Sequence, residues 1–226
     1  MTSAVFTAVA GNIVLMAAEA NGGYSRLSTV AGERRFMDHL AAVLAMMGEP
    51  RRTHDHSAGT WQHLEASCDV AVPDDYKSIV EAYAPVEVNW HLHLLHPSED
   101  LGMWIGRTIE AFRDTVWGDD VACPGFEETG PQFGGRTGLV PLAGTDRGDY
   151  VFAARDGDVW RILTCDGNEQ DFYEYRMGFA EWLHGWLTGG DMVGPDSSVF
   201  YPGPLRLERF TRTAGEPSLV WEGPPR

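Results

Sequence analysis

The sequence contains almost no lysine and a large excess of acidic residues. Lys77 is the only lysine, and 33 aspartates and glutamates outnumber the 17 basic residues, which gives a formal net charge of −16 and a pI near 4.7. A field of that sign repels nucleic acid and anionic membranes and attracts cationic proteins. The composition argues against direct binding of DNA, RNA or membrane. It favours a basic protein partner, unless the charge serves solubility alone.

Cysteine is scarce as well. Cys68, Cys123 and Cys165 are odd in number, far apart in the chain and free of any Cys-x-x-Cys spacing. Neither a disulfide framework nor a zinc ribbon follows from such a pattern. A reducing compartment suits it best, and we expect a cytoplasmic protein.

The chain also lacks an apolar run that could cross a bilayer. The N-terminal segment AVFTAVAGNIVLMAAEA is apolar, but Asn12 and Glu19 interrupt it, and a membrane helix needs about 20 apolar residues. Its Ala-Glu-Ala end resembles a signal-peptide cleavage site, yet the basic region of a secretory signal is missing. A secretory signal is therefore the less favoured reading. Met37, which opens a helical pattern, is an alternative translation start.

With 226 residues, 43% of them hydrophobic, the chain has enough material for one sizeable core. We expect an N-terminal extension with one helix over residues 1–50 and a main domain over residues 51–190. A Pro/Gly-rich tail over residues 191–226 contains one possible edge strand, LRLERFTR.

Apolar residues at a period of 3.6 predict five helices. The pattern is most regular in GFAEWLHGWLTGG, where Trp182 and Trp186 share one face that we expect to be core rather than a partner groove. The other predicted helices are residues 33–47, TWQHLEASCDV with Thr60 as N-cap, VPDDYKSIVEAYAP, and residues 98–116 with Ser98 as N-cap.

Alternating apolar residues predict the strands. GDYVFAAR, DVWRILTC and EQDFYEYR are separated by turn residues at Asp156-Gly157 and Asp166-Gly167-Asn168, which is typical of an antiparallel meander. VEVNWHLHLL also alternates and predicts one further strand. The fold class is therefore α+β, with helices packed on a mixed, mostly antiparallel sheet. Residues 117–138 show no periodicity, and structureless stretches of that length are usually functional or disordered.

The order of these pieces resembles the SUKH superfamily. The first half is carried by W-x-x-L-E, VPDDYKSIVEAYA, a strand that ends in LLHP and a long helix. The second half is carried by the segment from GLVPLAGTDRGDY to the helix FAEWLHGWLTG. The resemblance covers residues 57–190 and implies an α+β binding protein with no shared reaction. In bacteria, it implies an immunity protein that binds and blocks a toxin domain, often a nuclease.

Three histidines in NWHLHLLHP raise the question of a metal site. On one strand, His91 and His93 would share a face with side chains about 7 Å apart, as a pair of ligands requires. His96 has the opposite parity, so a third ligand is missing. We favour strand histidines without a metal, and a zinc-dependent hydrolase built on His91 and His93 is the least favoured function.

Other motifs favour structural roles. In TDRGD, Thr145 and Asp149 are expected to bond the amides of a tight turn. DGNEQD begins like a calcium loop but lacks its later glycine and glutamate. No phosphate-binding loop, dinucleotide fingerprint or nucleophile elbow occurs. We therefore predict a protein that is not an enzyme and has no cofactor.

The predicted function is neutralisation of a basic toxin domain by occlusion. Carboxylates on an acidic face would pair with the lysines and arginines that a nuclease uses for phosphate contacts. The alternative is a regulatory or scaffold module that binds an endogenous protein or small ligand. The predicted partner-binding residues are Asp119, Asp120, Glu127, Glu128, Asp146, Asp156 and Asp158.

Overall fold

The predicted α+β class is confirmed by a computed structural model with five helices and one antiparallel sheet. The structure describes residues 38–50, 59–98, 100–118, 121–168, 170–199, 201–209 and 218–225. The helices are α1 (38–47), α2 (Thr60–Cys68), α3 (Asp74–Tyr83), α4 (Leu101–Asp114) and α5 (Phe179–Leu187). The strands are β1 (Val86–Val88), β2 (Leu92–Leu94), β3 (Val140–Thr145), β4 (Tyr150–Asp156), β5 (Val159–Cys165), β6 (Phe172–Tyr175), β7 (Arg206–Arg209) and β8 (Val220–Glu222).

The eight strands form one sheet in the order β6-β5-β4-β3-β2-β1-β7-β8. Every neighbouring pair is antiparallel, and the Asp-Gly turns join β4 to β5 and β5 to β6 as predicted. A single parallel bridge in the described residues joins Phe133 to Leu139, outside these strands. Four consecutive residues of β4, from Val151 to Ala154, are buried. Because neighbouring side chains of a strand point to opposite faces, the centre of the sheet is covered on both.

Aromatic packing fixes α4 and the loop after it against one face of the sheet. Phe112 of α4 contacts the rings of Phe152 and Phe133, and Trp104 stacks on Tyr150. The predicted helix 98–116 is two to three residues shorter at each end. Ser98 does not cap it, because its hydroxyl lies 2.7 Å from the Nδ1 atom of His96.

Helices α3 and α5 pack against each other through a buried contact. Phe179 meets the edge of the Tyr76 ring, and the Tyr76 hydroxyl donates a hydrogen bond to the carbonyl of Leu142 in β3 at 2.6 Å. Trp182 and Trp186 are almost fully buried. Their helix face is therefore core, as the period of the sequence predicts.

The segments before and after the predicted main domain join the same core and sheet. Val43 and Met47 of α1 are fully buried, and the Tyr83 hydroxyl donates hydrogen bonds to the carbonyls of Leu44 and Gly48. In the tail, the predicted strand LRLERFTR is present as β7. It pairs with β1 on one side and β8 on the other, so β8 rather than β7 lies at the edge.

Candidate functional site

The histidine segment forms a tight hairpin rather than the single strand that the alternation predicts. Asn89 and Trp90 have φ angles of 51° and 62°, and the His91 amide donates to the Val88 carbonyl at 3.0 Å. Two consecutive positive φ angles are the geometry of a two-residue hairpin turn. His91 therefore ends the turn while His93 lies in β2. The shared strand face for a metal pair is not formed.

Each of these two imidazoles has protein partners. The His91 ring nitrogens lie 2.6 Å from Asp146 Oδ1 and 2.6 Å from the Tyr201 hydroxyl. His93 Nε2 lies 3.1 Å from Glu87 Oε1 on the adjacent strand. Within the part of the chain that the structure describes, no group of three or more His, Cys, Asp or Glu side chains could hold a metal ion.

Asp149 joins two turns at one end of the sheet, which confirms its predicted structural role. Its carboxylate accepts hydrogen bonds from the Thr145 hydroxyl at 2.8 Å and the Gly167 amide at 3.1 Å. The turns touch so closely that a Cβ on Gly167 would lie 2.5 Å from the carbonyl carbon of Gly148. The β3–β4 and β5–β6 turns therefore form one rigid unit.

Four aspartates line a pocket of about 150 Å³ at this rigid unit. Asp146 and Asp149 come from the β3–β4 turn, Asp166 from the β5–β6 turn and Asp196 from the segment after α5. We call these four residues the acidic end. Asp196 is exposed and the Asp146 side chain is 43% exposed. Arg147 is the one arginine among the described residues that line the pocket, so the field of the carboxylates is only partly compensated.

A larger cleft of about 920 Å³ lies near the opposite end of β4 and β5. Its walls are the 125–138 loop, the C-terminal part of α4, and residues from β4, β5 and the end of β6. We call it the loop cleft. The seven residues of β4 separate the two ends of this strand by roughly 20 Å, so the cleft and the acidic end are distinct surfaces. The arginines that line the cleft are Arg113, Arg155, Arg161 and Arg176, and its acids are Glu127, Asp156 and Glu174.

Arg161 is the most buried arginine of this cleft, with 12% of its side chain exposed. Its Nη1 atom donates to Glu174 Oε1 at 2.5 Å and to the Pro124 carbonyl at 3.1 Å. The guanidinium lies over the Phe126 ring at 5.6 Å. Gly125 packs against it so tightly that a Cβ there would overlap the guanidinium. Arg161 thus fastens the loop to β5.

Two carboxylates of the cleft have lowered pKa values. Burial by itself would raise the pKa of Glu174, but hydrogen bonds and charge from Arg161 and Arg176 outweigh it and lower the pKa. The Gly125 amide donates to Glu127 at 2.8 Å and lowers the pKa of that carboxyl. Both side chains are therefore anionic at neutral pH.

The predicted partner-binding residues are distributed over both surfaces. Glu127 and Asp156 line the loop cleft among the arginines, and Asp158 lies in the adjacent turn, 4.0 Å from Arg155. Glu128 is exposed in the loop, and Asp146 belongs to the acidic end. The predictions at Asp119 and Asp120 fall outside the described residues.

Sequence reasoning missed Asp166 and Asp196, and it missed the grouping of the arginines. Asp146, Asp166 and Asp196 come from three separate segments, and only the fold brings them to one pocket. The one signal in the sequence was the Asp-Gly turn at Asp166, which fixes that residue at a strand end.

We found no family model, curated protein or solved structure that matches this chain. No helix in the described residues is long and apolar enough to span a bilayer.

Proposed function

We propose that this protein is a non-catalytic binding protein that neutralises a basic protein partner, with immunity against a toxin domain as its role. The acidic end would cover the lysines and arginines with which a nuclease holds phosphate groups. Inhibition would follow from occlusion, because a partner held in this way cannot admit a nucleic acid. The resemblance to the SUKH superfamily supports the same role.

The observation that carries the proposal is the convergence of Asp146, Asp166 and Asp196 at one pocket. The turns that carry Asp146 and Asp166 are fixed by Asp149 and by the close contact of Gly148 with Gly167. A surface that is ordered before binding loses little conformational entropy on association. Clustered charge of one sign speeds the encounter with a cationic partner by about 10- to 1,000-fold at low salt.

The acidic end is a better surface for a cation than the loop that the sequence pointed to. In the loop cleft, Glu127 and Asp156 share their surroundings with four arginines, so their field is largely compensated. At the acidic end, Arg147 is the one arginine among the described lining residues, and His91 contacts Asp146, against four aspartates. We therefore assign the contact with a basic partner to the acidic end.

The test uses the product of the neighbouring gene as the partner and measures the association rate between about 50 and 500 mM salt. The triple variant Asp146→Asn, Asp166→Asn and Asp196→Asn should associate at least tenfold more slowly, with a weaker salt dependence. The matched control Asp114→Asn, Glu128→Gln and Asp158→Asn removes the same charge elsewhere and should keep most of the rate. An association rate that does not change with salt concentration contradicts the assignment. So does a control variant that associates as slowly as the triple variant.

Immunity as a role has its own test. The neighbouring gene product should be lethal when expressed alone and harmless when this chain is expressed with it. If the triple variant still rescues the cells fully, the acidic end is not the surface that provides immunity.

The alternative function is a regulatory module that binds an endogenous protein or a small ligand. The loop cleft favours it, because a cleft of that volume with convergent polar groups is typical of small-molecule sites. A gene with no toxin beside it supports this alternative, and a toxin gene beside it supports immunity.

A further inference from the structure

The loop cleft differs in charge from the rest of the molecule. The described residues include nine arginines, and four of them line this one cleft. Three carboxylates face them, so the cleft carries a small positive charge inside a chain of net charge −16. Four guanidiniums in one cleft repel one another, and the three carboxylates offset this repulsion only in part, so the cleft favours an additional anion.

One buried donor of these arginines has no acceptor among the described residues. Glu174 is shared by two guanidiniums, through Oε1 to Arg161 and Oε2 to Arg176 at 3.1 Å. The Nε atom of Arg161 is buried and has no hydrogen-bond partner among the described residues. Arg161 and Arg176 together therefore carry one more positive charge than Glu174 neutralises.

Three of the four arginines are exposed, and Arg113, one of them, uses its Nε atom to donate to the Phe133 carbonyl at 2.8 Å. The side chain of Arg176 is 85% exposed and that of Arg155 is 42% exposed. A guanidinium presents a planar fork of donors that matches the two oxygens of a carboxylate or phosphate. Arg155 also lies 5.3 Å from the Trp160 ring, which restricts its orientation and lowers the entropy lost on binding.

Part of the remaining wall of the cleft is aromatic. Phe112, Trp117 and Phe126 line it and are half-buried, and Trp117 is fixed by a hydrogen bond from its Nε1 to the Phe112 carbonyl. Apolar rings next to a few placed charges are the usual lining of small-molecule sites. The volume of about 920 Å³ suits a small organic molecule.

We propose that the loop cleft is a binding site for a small organic anion with a planar apolar group, held by Arg155 and Arg176 through its carboxylate or phosphate. Arg161 acts as a positioning residue, because it fastens the loop to β5 and holds Glu174 in place. Glu127 and Asp156 set the orientation of the ligand, since they repel its anionic group towards the arginines. The site is independent of the acidic end and of the basic partner proposed above.

The test is titration calorimetry of the full chain with phenyl phosphate, benzoate and inorganic phosphate. We expect saturable binding of phenyl phosphate or benzoate, and the stronger of the two identifies the anionic group. Inorganic phosphate should bind at least tenfold more weakly than phenyl phosphate, since it lacks the ring. If neither aromatic probe binds below about 10 mM, the proposal is overturned.

Variants locate the site. The double variant Arg155→Ala and Arg176→Ala alters two exposed side chains and should weaken binding at least tenfold while its unfolding midpoint stays close to wild type. Arg147→Ala, at the acidic end, is the matched control and should bind as wild type. Equal affinity in wild type and double variant, or equal loss in the control, overturns the assignment. Capture of the basic partner should be unchanged in the double variant, so failure of one proposal is distinguishable from failure of the other.

Discussion

The carboxylate of Asp149 accepts a hydrogen bond from the amide of Gly167, eighteen residues further along the chain. With its bond to Thr145, this contact holds the β3–β4 and β5–β6 turns together beneath the acidic end. The carboxylate is buried, with 7% of the residue exposed. A change at Asp149 therefore acts on stability and on the geometry of the aspartates around it.

Asp149→Ala should lower the free energy of unfolding by about 1 to 3 kcal/mol, because the Gly167 amide and the Thr145 hydroxyl lose a buried acceptor. Urea denaturation followed by tryptophan fluorescence measures the change. Asp158→Ala, in the fully exposed β4–β5 turn, is the control and should leave the midpoint in place. A midpoint for Asp149→Ala that matches the control would mean that the two turns are held by other contacts.

Asp75 of α3 caps the N-terminus of α5. Its Oδ2 atom accepts a hydrogen bond from the Ala180 amide at 2.8 Å, and its Oδ1 atom accepts one from the Tyr76 amide. Burial raises the pKa of Asp75, and the two amides offset part of that rise. Asp75→Ala should cost about 1 to 2 kcal/mol of stability through the loss of the cap.

Asp75→Asn is the informative comparison at this position. Its amide oxygen can still accept from Ala180 without a buried charge, so it should be less destabilising than Asp75→Ala. Asp74→Ala, at the neighbouring exposed residue, should leave the thermal midpoint unchanged. If Asp75→Asn is as unstable as Asp75→Ala, the hydrogen bond to α5 is not the source of the effect.

The pH dependence of stability should include a contribution from Glu174. The pKa of Glu174 in the folded protein is below the ordinary value of 4.5. The ionised side chain therefore stabilises the folded state fully above pH 4.5, and this stabilisation is lost as the pH falls through the folded pKa. Glu174→Gln should therefore be less stable than wild type at pH 7, and the difference should shrink below pH 4.5. The exposed variant Glu110→Gln should follow the wild-type profile. A difference that is constant with pH would remove the electrostatic explanation.

The three cysteines should differ in reactivity. Burial raises the pKa of both Cys123 and Cys165 to about 12, and the thiolate is the reactive form. Cys68 is only half-buried. Titration with a thiol reagent at pH 7.5 should show one fast thiol in the native protein and three after denaturation. Cys68→Ser should abolish the fast phase, and a second fast thiol in that variant would show that β5 or the loop opens readily.

The sequence allowed the prediction of elements whose residues carry a local signal. The spacing of Trp182 and Trp186 indicated the buried face of α5, and the Asp-Gly pairs located both meander turns. The turn at Asn89 and Trp90 was missed because the alternation of apolar residues continues through it. A tryptophan at positive φ is uncommon, and no pattern in the sequence indicates it.

The site was only partly predictable for a different reason. The excess of acidic residues is visible in the composition, but its division between two surfaces depends on which turns the sheet places side by side. Asp146 and Asp156 are ten residues apart in sequence and lie at opposite ends of β4. The arginines looked like a minority within acidic segments, and the antiparallel pairing of β4, β5 and β6 gathers three of them into one cleft.

The pairing of β7 with β1 has a practical consequence for anyone who shortens this chain. A truncation after residue 190, where the predicted main domain ends, would delete β7, which pairs with β1, together with β8 beyond it. β1 would then lie at the edge of the sheet, and groups that bond β7, such as the Asn89 amide that donates to the Arg206 carbonyl, would be free, which invites recruitment of a foreign strand and aggregation. The C-terminal strands thus protect this part of the sheet from pairing with another chain.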